Sequence, residues 1–148
     1  MKQSDLRILA ELRKNSRQTL TNISRKIKVP VSTVYDRIRI CEDKIIKKHT
    51  SILDFPKLGF NIRTNILIDV NEKQNFESFV LEHKNVNSVF KINSDYNFMI
   101  DCIFREMSEF QDFMESLTKF IVNKKQVHFV VNELKRECFF SSHELGGN

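Results

Sequence analysis

Residues 28–39 read KVPVSTVYDRIR. Pro30 cannot continue a helix from the residues before it, yet it is tolerated at the entry to the next one. Lys28, Val29 and Pro30 therefore form a turn between two helical patterns. Upstream, TNISRKIK (21–28) repeats Ile23 and Ile27 at i, i+4, with Thr21 as the expected N-cap and Arg25 and Lys26 left outside. Downstream, the spacing predicts a helix from Val31 to Lys44. At about 100° per residue, Val34, Ile38 and Cys41 share its core side. Ser32, Asp36 and Arg39 then point the opposite way, with Thr33, Tyr35 and Arg37 on the flanks. An earlier helix opens at Ser4 or Asp5 and ends near Asn15, with Leu6, Ile8, Leu9, Ala10 and Leu12 as its apolar residues. Three helices with a tight turn between the last two make a helix-turn-helix, whose third helix can enter the DNA major groove.

The outward residue types suit that task. Ser32 and Thr33 can donate to phosphates or base edges, Arg39 can reach a guanine edge or a phosphate, and Asp36 can accept from a cytosine amine. With the neighbouring helix included, the candidate DNA-contacting residues are Thr21, Arg25, Lys26, Ser32, Thr33, Tyr35, Asp36, Arg37 and Arg39. The competing reading pairs Asp36 with Arg37 or Arg39 along the helix, so that none of them reads a base.

Charge bears on the module as a whole. Residues 1–50 hold 13 Lys and Arg against 5 Asp and Glu, a net of +8, whereas residues 51–148 hold 11 against 14, a net of −3. A step of this size marks two modules, of which the basic one is the candidate for nucleic acid. With 148 residues, 41% of them hydrophobic, the chain can bury one good core or two small ones. Its 3 Gly and 2 Pro argue against a fibrous or disordered chain. The charged N-terminus offers no apolar run suited to a signal peptide or membrane span, so a cytoplasmic location without membrane contact is expected. Cys41, Cys102 and Cys138 lie far apart with no CxxC pair and read as small buried hydrophobes.

From about Ile62 the pattern becomes strands alternating with amphipathic helices. RTNILIDV (63–70) places Ile66, Ile68 and Val70 on one strand face, and NFESFVLEHK (75–84) is a helix with Phe76, Phe79, Val80 and His83 on one side. VNSVFKIN (86–93) and YNFMIDCIF (96–104) form a hairpin around a polar turn. In the second of these strands Phe98, Ile100, Cys102 and Phe104 alternate with Met99, Asp101 and Ile103. MSEFQDFMESLTKFIV (107–122) reads as one long helix, and QVHFVVNEL (126–134) as the last strand. The order β-α-β-β-α-β is that of a ferredoxin-like sandwich in an α+β chain. Its two helices cover one sheet face only. Met99, Ile103 and Val130 on the other face need cover, and a second copy of the sheet is the expected partner, giving a homodimer.

These stretches resemble the Lrp/AsnC family of feast/famine transcription regulators of bacteria and archaea. DLRILAELRKNSR (5–17) is similar to the family's first helix, VSTVYDRIRICED (31–43) to its recognition helix, ILDFPKLGF (52–60) to its hinge, and SDYNFMIDC (94–102) to the effector loop and following strand. The resemblance implies an N-terminal winged helix-turn-helix (1–50), a hinge strand or linker (51–61), a ferredoxin-like regulatory and dimerisation domain (62–140) and a tail (141–148). It further implies double-stranded DNA as partner, dimers that assemble to tetramers or octamers, and an amino acid or related metabolite as effector, held at Ser94, Asp95 and Tyr96. Lys28 stands where the family has a turn glycine, so a left-handed backbone is expected there on a non-glycine residue. CEDKIIKK (41–48) also lacks the family's glycine after the recognition helix, which predicts a short or reshaped wing. Asn93 and Ser94 replace a Thr-Gly pair of the effector loop, so ordinary amino acids are expected to bind weakly.

Two other functions fit the same outline. Haem-biosynthesis decarboxylases are similar in domain order, but His49, His83, His128 and His143 are scattered over hinge, helix, strand and tail. With no Gly-rich phosphate loop, no Ser-His-Asp order and no metal-ligand cluster, we expect no enzyme, no catalytic residues, no cofactor and no metal. An architectural, chromatin-like DNA-binding protein would use the same basic module with less sequence preference.

Overall fold

The structure, a computed structural model, describes residues 1–141. Most of the expected tail, including His143, lies outside the described residues. The chain divides into two compact units, residues 1–52 joined by the segment from Leu134 onward, and residues 53–133. Residues 134–140, expected within the regulatory domain, group with the helical unit in this division.

The first unit is built from α1 (Gln3–Lys14), α2 (Leu20–Ile27) and α3 (Val31–Lys44). Ile8, Ile23, Ile27 and Val34 form its core, with Leu12, Leu20, Val29 and Ile38 packed around them. The helix starts differ from expectation in a consistent way. Thr19, not Thr21, caps α2, because its hydroxyl accepts the Asn22 N–H at 3.2 Å. Asp5 does not open α1 but sits in its first turn, and its carboxylate reaches back to accept the Lys2 N–H at 2.9 Å. In the turn, Lys28 takes the expected left-handed backbone (φ 57°, ψ 50°). Its cost, about 1 kcal/mol for a residue with a Cβ, is offset by the Val29 N–H to Ser24 carbonyl bond (3.2 Å) and the Ser24 hydroxyl to Val29 carbonyl bond (2.6 Å). The segment after residue 133 returns to α1. Arg13 donates from Nε to the Phe139 carbonyl (3.1 Å) and from Nη2 to the Glu137 carbonyl (2.9 Å) and carboxylate (3.1 Å).

No strand forms between α3 and residue 61, so neither a wing strand nor a hinge strand is present there, and the hinge holds only a 3₁₀ turn at Pro56–Leu58. The physical reason is local. CEDKIIKK has neither the glycine nor the alternation that a tight two-stranded wing requires.

The second unit contains β1 (Ile62–Val70), α4 (Lys73–Glu82), β2 (Val86–Lys91), β3 (Phe98–Phe104), α5 (Met107–Ser116) and β4 (Val122–Phe129) in one antiparallel sheet of order β2-β3-β1-β4. This is the ferredoxin-like arrangement. Ile66, Ile68, Val70, Phe98, Ile100, Cys102 and Phe104 face the helices and meet Phe76, Val80, Phe113 and Leu117. The boundaries near the end of this unit differ from expectation, the last strand closing at Phe129 rather than Leu134. The long helix stops at Ser116, a 3₁₀ turn takes Leu117–Lys119, and the last strand begins at Val122 rather than Gln126. Leu117 and Phe120 still enter the core from the turn, Phe120 lying 5.2 Å from the Phe76 ring, so apolar spacing could not mark the break. Pairing of Val122 with Val70 past a bulge, and the Asn71 N–H to Ile121 carbonyl bond (3.1 Å), draw this segment into the sheet.

The register puts Leu67, Met99, Phe90 and Ile103 on the face without helices, beside Arg63, Asn65 and Asp101. Asp101, 6% exposed, accepts Arg63 at 2.7 and 2.9 Å and Asn87 at 2.7 Å, while Arg63 also reaches Glu133 at 2.6 Å. The open face is therefore apolar in one part and carries a satisfied polar network in another. Cys41 and Cys102 are buried as expected, and burial pushes the Cys102 thiol up to about 12. Cys138 is exposed, contrary to the reading of all three as buried.

Candidate nucleic-acid interface

The outer side of α3 is set by what its inner side must do. Val34 and Cys41 are buried and Ile38 half-buried, which turns Ser32, Thr33, Tyr35, Asp36 and Arg39 to the surface. The Arg39 guanidinium lies 5.9 Å from the Tyr35 ring centroid, one turn back along the helix. Neither alternative pairing of Asp36 with Arg37 or Arg39 is formed within 4.0 Å among the described residues.

Arg37 differs from its neighbours. It turns inward and donates from Nε to Asp5 Oδ1 at 2.6 Å and from Nη2 to Asp5 Oδ2. Those bonds hold the Asp5 carboxyl below the usual carboxylate range despite its burial. Arg37 therefore belongs to the joint between α1 and α3 and is not brought to the outer face with Arg39.

On α2, Thr21 and Arg25 are exposed, Thr21 in the first turn rather than at the cap. Lys26 is exposed along its side chain, but its ammonium is held by Glu11 at 2.7 Å and Gln18 at 3.0 Å. Glu11, 1% exposed, also accepts Lys14 at 2.9 Å. Burial pushes the Glu11 carboxyl up, and the Lys26 and Lys14 hydrogen bonds outweigh it, leaving it at about 2. Asp5 and Glu11 are the residues that sequence reasoning missed as buried. Their spacing falls on the same side as Ile8, which was the available signal.

In the second unit Ser94 and Asp95 are exposed and Tyr96 half-buried, in the turn between β2 and β3. The Ser94 hydroxyl accepts the Tyr96 N–H at 3.4 Å, and Lys124 lies 3.8 Å from Asp95 and 6.0 Å from the Tyr96 ring centroid. Asn97 anchors the turn, accepting the Val70 N–H at 3.0 Å and donating its own N–H to the Ile68 carbonyl at 2.9 Å. No residue from 93 to 97 has positive φ, so Ser94 sits there without backbone strain. Among the described residues no group of three or more His, Cys, Asp or Glu is placed to hold a metal ion, and no helix is long and apolar enough to cross a membrane.

Comparison with known families also divides the chain in two. Residues 1–44 match the family model for winged helix-turn-helix DNA-binding, and residues 65–138 match that for the Lrp/AsnC ligand binding domain. The chain belongs to the Lrp/AsnC family of transcriptional regulators. Relatives named as HTH-type transcriptional regulators cover most of its length. It is 28% identical over 138 residues to an HTH-type transcriptional regulator of Pyrococcus furiosus, covering 91% of this chain and 93% of the relative. It is 27% identical over 130 residues to the HTH-type transcriptional regulator LrpC of Bacillus subtilis, covering 86% and 90%. The solved structure of that LrpC superposes with a TM-score of 0.82 over 91% of this chain and 97% of the other. A transcriptional regulator of Neisseria meningitidis solved as a complex with L-Met superposes with a TM-score of 0.85 at 22% identity, over 92% and 93%, and shares the fold.

Proposed function

We propose that this Lrp/AsnC regulator binds duplex DNA in a sequence-preferring manner through α3, assembles at least as a dimer, and acts in the cytoplasm without catalysing a reaction. The outward face of α3 carries the reading. Ser32, Thr33, Tyr35, Asp36 and Arg39 are all at the surface on a helix of a unit whose first 50 residues have a net charge of +8. Arg25 and Thr21 add phosphate contacts from α2, and Lys26 contributes charge while held by Glu11. Arg37 takes no part in contact. The domain limits follow the same division, a DNA-binding module over 1–50, a linker over 51–61 and a regulatory module from 62.

Dimerisation uses the open sheet face, where Phe90 is 51% exposed beside Met99. Two copies then present two α3 helices, and target sites are pseudo-palindromic with half-sites about one helical turn or a multiple apart. The turn at Ser94, Asp95 and Tyr96 faces the effector. An amino acid is the proposed class of ligand, supported by the L-Met complex of the Neisseria meningitidis regulator that shares this fold, and the side chain of Ser94 weakens its approach to the backbone.

Fluorescence anisotropy with a duplex selected from a random pool tests the DNA reading. Affinity falls by about 10³-fold or more between 50 and 200 mM salt if six or more phosphates are contacted. An affinity that does not change with salt overturns it. Arg39→Ala costs about 1–3 kcal/mol on the selected duplex and less on a mixed sequence if Arg39 reads a base.

A further inference from the structure

Helix α1 buries two carboxylates, and each holds a basic residue of the helix-turn-helix. Glu11 holds Lys26 of α2, and Asp5 holds Arg37 of α3. The Asp5 pair is the more constrained. Its carboxylate is 2% exposed and receives four donors, Arg37 Nε, Arg37 Nη2, the Lys2 backbone N–H and, at 3.5 Å, the Ser4 hydroxyl. The acceptor is thus fixed to the first turn of α1, and the guanidinium is fixed to the acceptor in two directions at once.

An ion pair this well buried contributes little net stability, because desolvation offsets the attraction. What it adds is direction. Val34, Ile38 and Cys41 hold α3 by apolar contact, which is non-directional and tolerates small rotations about the helix axis. A bidentate guanidinium–carboxylate pair does not tolerate them. With side-chain tips roughly 5–6 Å from the axis, a rotation of about 20° moves them by about 2 Å, more than a hydrogen bond to a base edge allows.

We propose that Asp5 is a positioning residue for DNA recognition: by clamping Arg37 it sets the rotation of α3 and so the aim of Ser32, Tyr35, Asp36 and Arg39. The proposal rests on the DNA-binding reading above, and Asp5 itself touches no DNA. It separates two quantities. Affinity for any duplex depends on the net charge of the unit, whereas preference for one sequence depends on the angle of α3.

The test measures full-length Asp5→Glu and Asp5→Asn at about 10 °C on two probes at one salt concentration. One probe is the duplex that the wild-type chain selects from a random pool; the other is a mixed-sequence duplex of equal length. Asp5→Glu keeps the charge and displaces the carboxylate by one methylene. The ratio of the two affinities falls about tenfold, as for a misread base pair, while mixed-sequence affinity and its salt slope stay at the wild-type value. Asp5→Asn removes one negative charge, so mixed-sequence affinity stays level or rises while the ratio falls. Circular dichroism fixes the folded fraction of each variant, and affinities are scored per folded molecule. An unchanged ratio in the folded variants overturns the proposal, and so does an equal loss on both probes, the mark of a purely structural role. A wild-type chain that binds neither probe overturns the DNA reading instead.

Discussion

Replacing Glu11 by Gln tests the electrostatics of the helical unit. The native carboxylate is 2% exposed along its side chain, and the ammonium groups of Lys14 and Lys26 lie 2.9 and 2.7 Å from it. In the unfolded chain this group titrates near 4.5, and in the folded unit at about 2. The folded value is the lower one, so the stabilisation is complete above pH 4.5 and disappears as the pH falls toward 2. At about 1.4 kcal/mol per unit, the full depression corresponds to about 3 kcal/mol. The lysine side chains are 40% and 53% exposed, so water screens both attractions, and about 1–2 kcal/mol survives. Gln retains the size and can still accept from a lysine, and both lysines can turn to solvent, so no charge is stranded. Thermal melts followed by far-UV circular dichroism at pH 7 therefore show Glu11→Gln melting about 4–16 °C below wild type, at about 4–8 °C per kcal/mol for a unit of this size. The gap narrows as the pH is lowered from 4.5 to 3, where the native carboxylate loses its advantage. Equal melting at pH 7, or a gap that is the same at pH 7 and pH 3, refutes the assignment of this stability to a charged, lysine-held Glu11.

Phe90→Lys places a charge on the open sheet face outside the helix-side core, and it shifts sedimentation at micromolar concentration from dimer toward folded monomer; an unchanged dimer removes the sheet-to-sheet model. Phe90 serves better than Ile103, which is only 8% exposed and already packed within its own chain. Calorimetric titration with the standard amino acids gives at most millimolar affinity, and Ser94→Gly tightens it if the side chain at 94 is the block. Sub-millimolar binding by the wild type would show that it is not. Arg13→Ala removes the three hydrogen bonds to Glu137 and Phe139, so tryptic cleavage after Lys135 and Arg136 accelerates severalfold while the sheet unit stays protected. Equal cleavage rates would mean that these bonds do not hold the segment.

Much of this protein is legible in one dimension because its elements are written in local rules. The turn at Lys28–Pro30 follows from proline chemistry, the inner side of α3 from the spacing of Val34, Ile38 and Cys41, and the two faces of β3 from strict alternation. These rules act over a few residues, so the β-α-β-β-α-β order and the single covered sheet face could be read without coordinates. Tertiary structure decided what local rules leave degenerate. Leu117 and Phe120 satisfy a continuing helix and a 3₁₀ turn equally well, and only the pairing of Val122 with Val70 ends the helix at Ser116. Arg37 and Arg39 are two residues apart on one helix with the same charge, yet one lies inside and one outside, because a carboxylate 32 residues earlier accepts only the first. Asp5 and Glu11 look like solvated acids until the helices pack, since burying a charge is permitted only where partners from other elements converge on it, and convergence is a property of three dimensions.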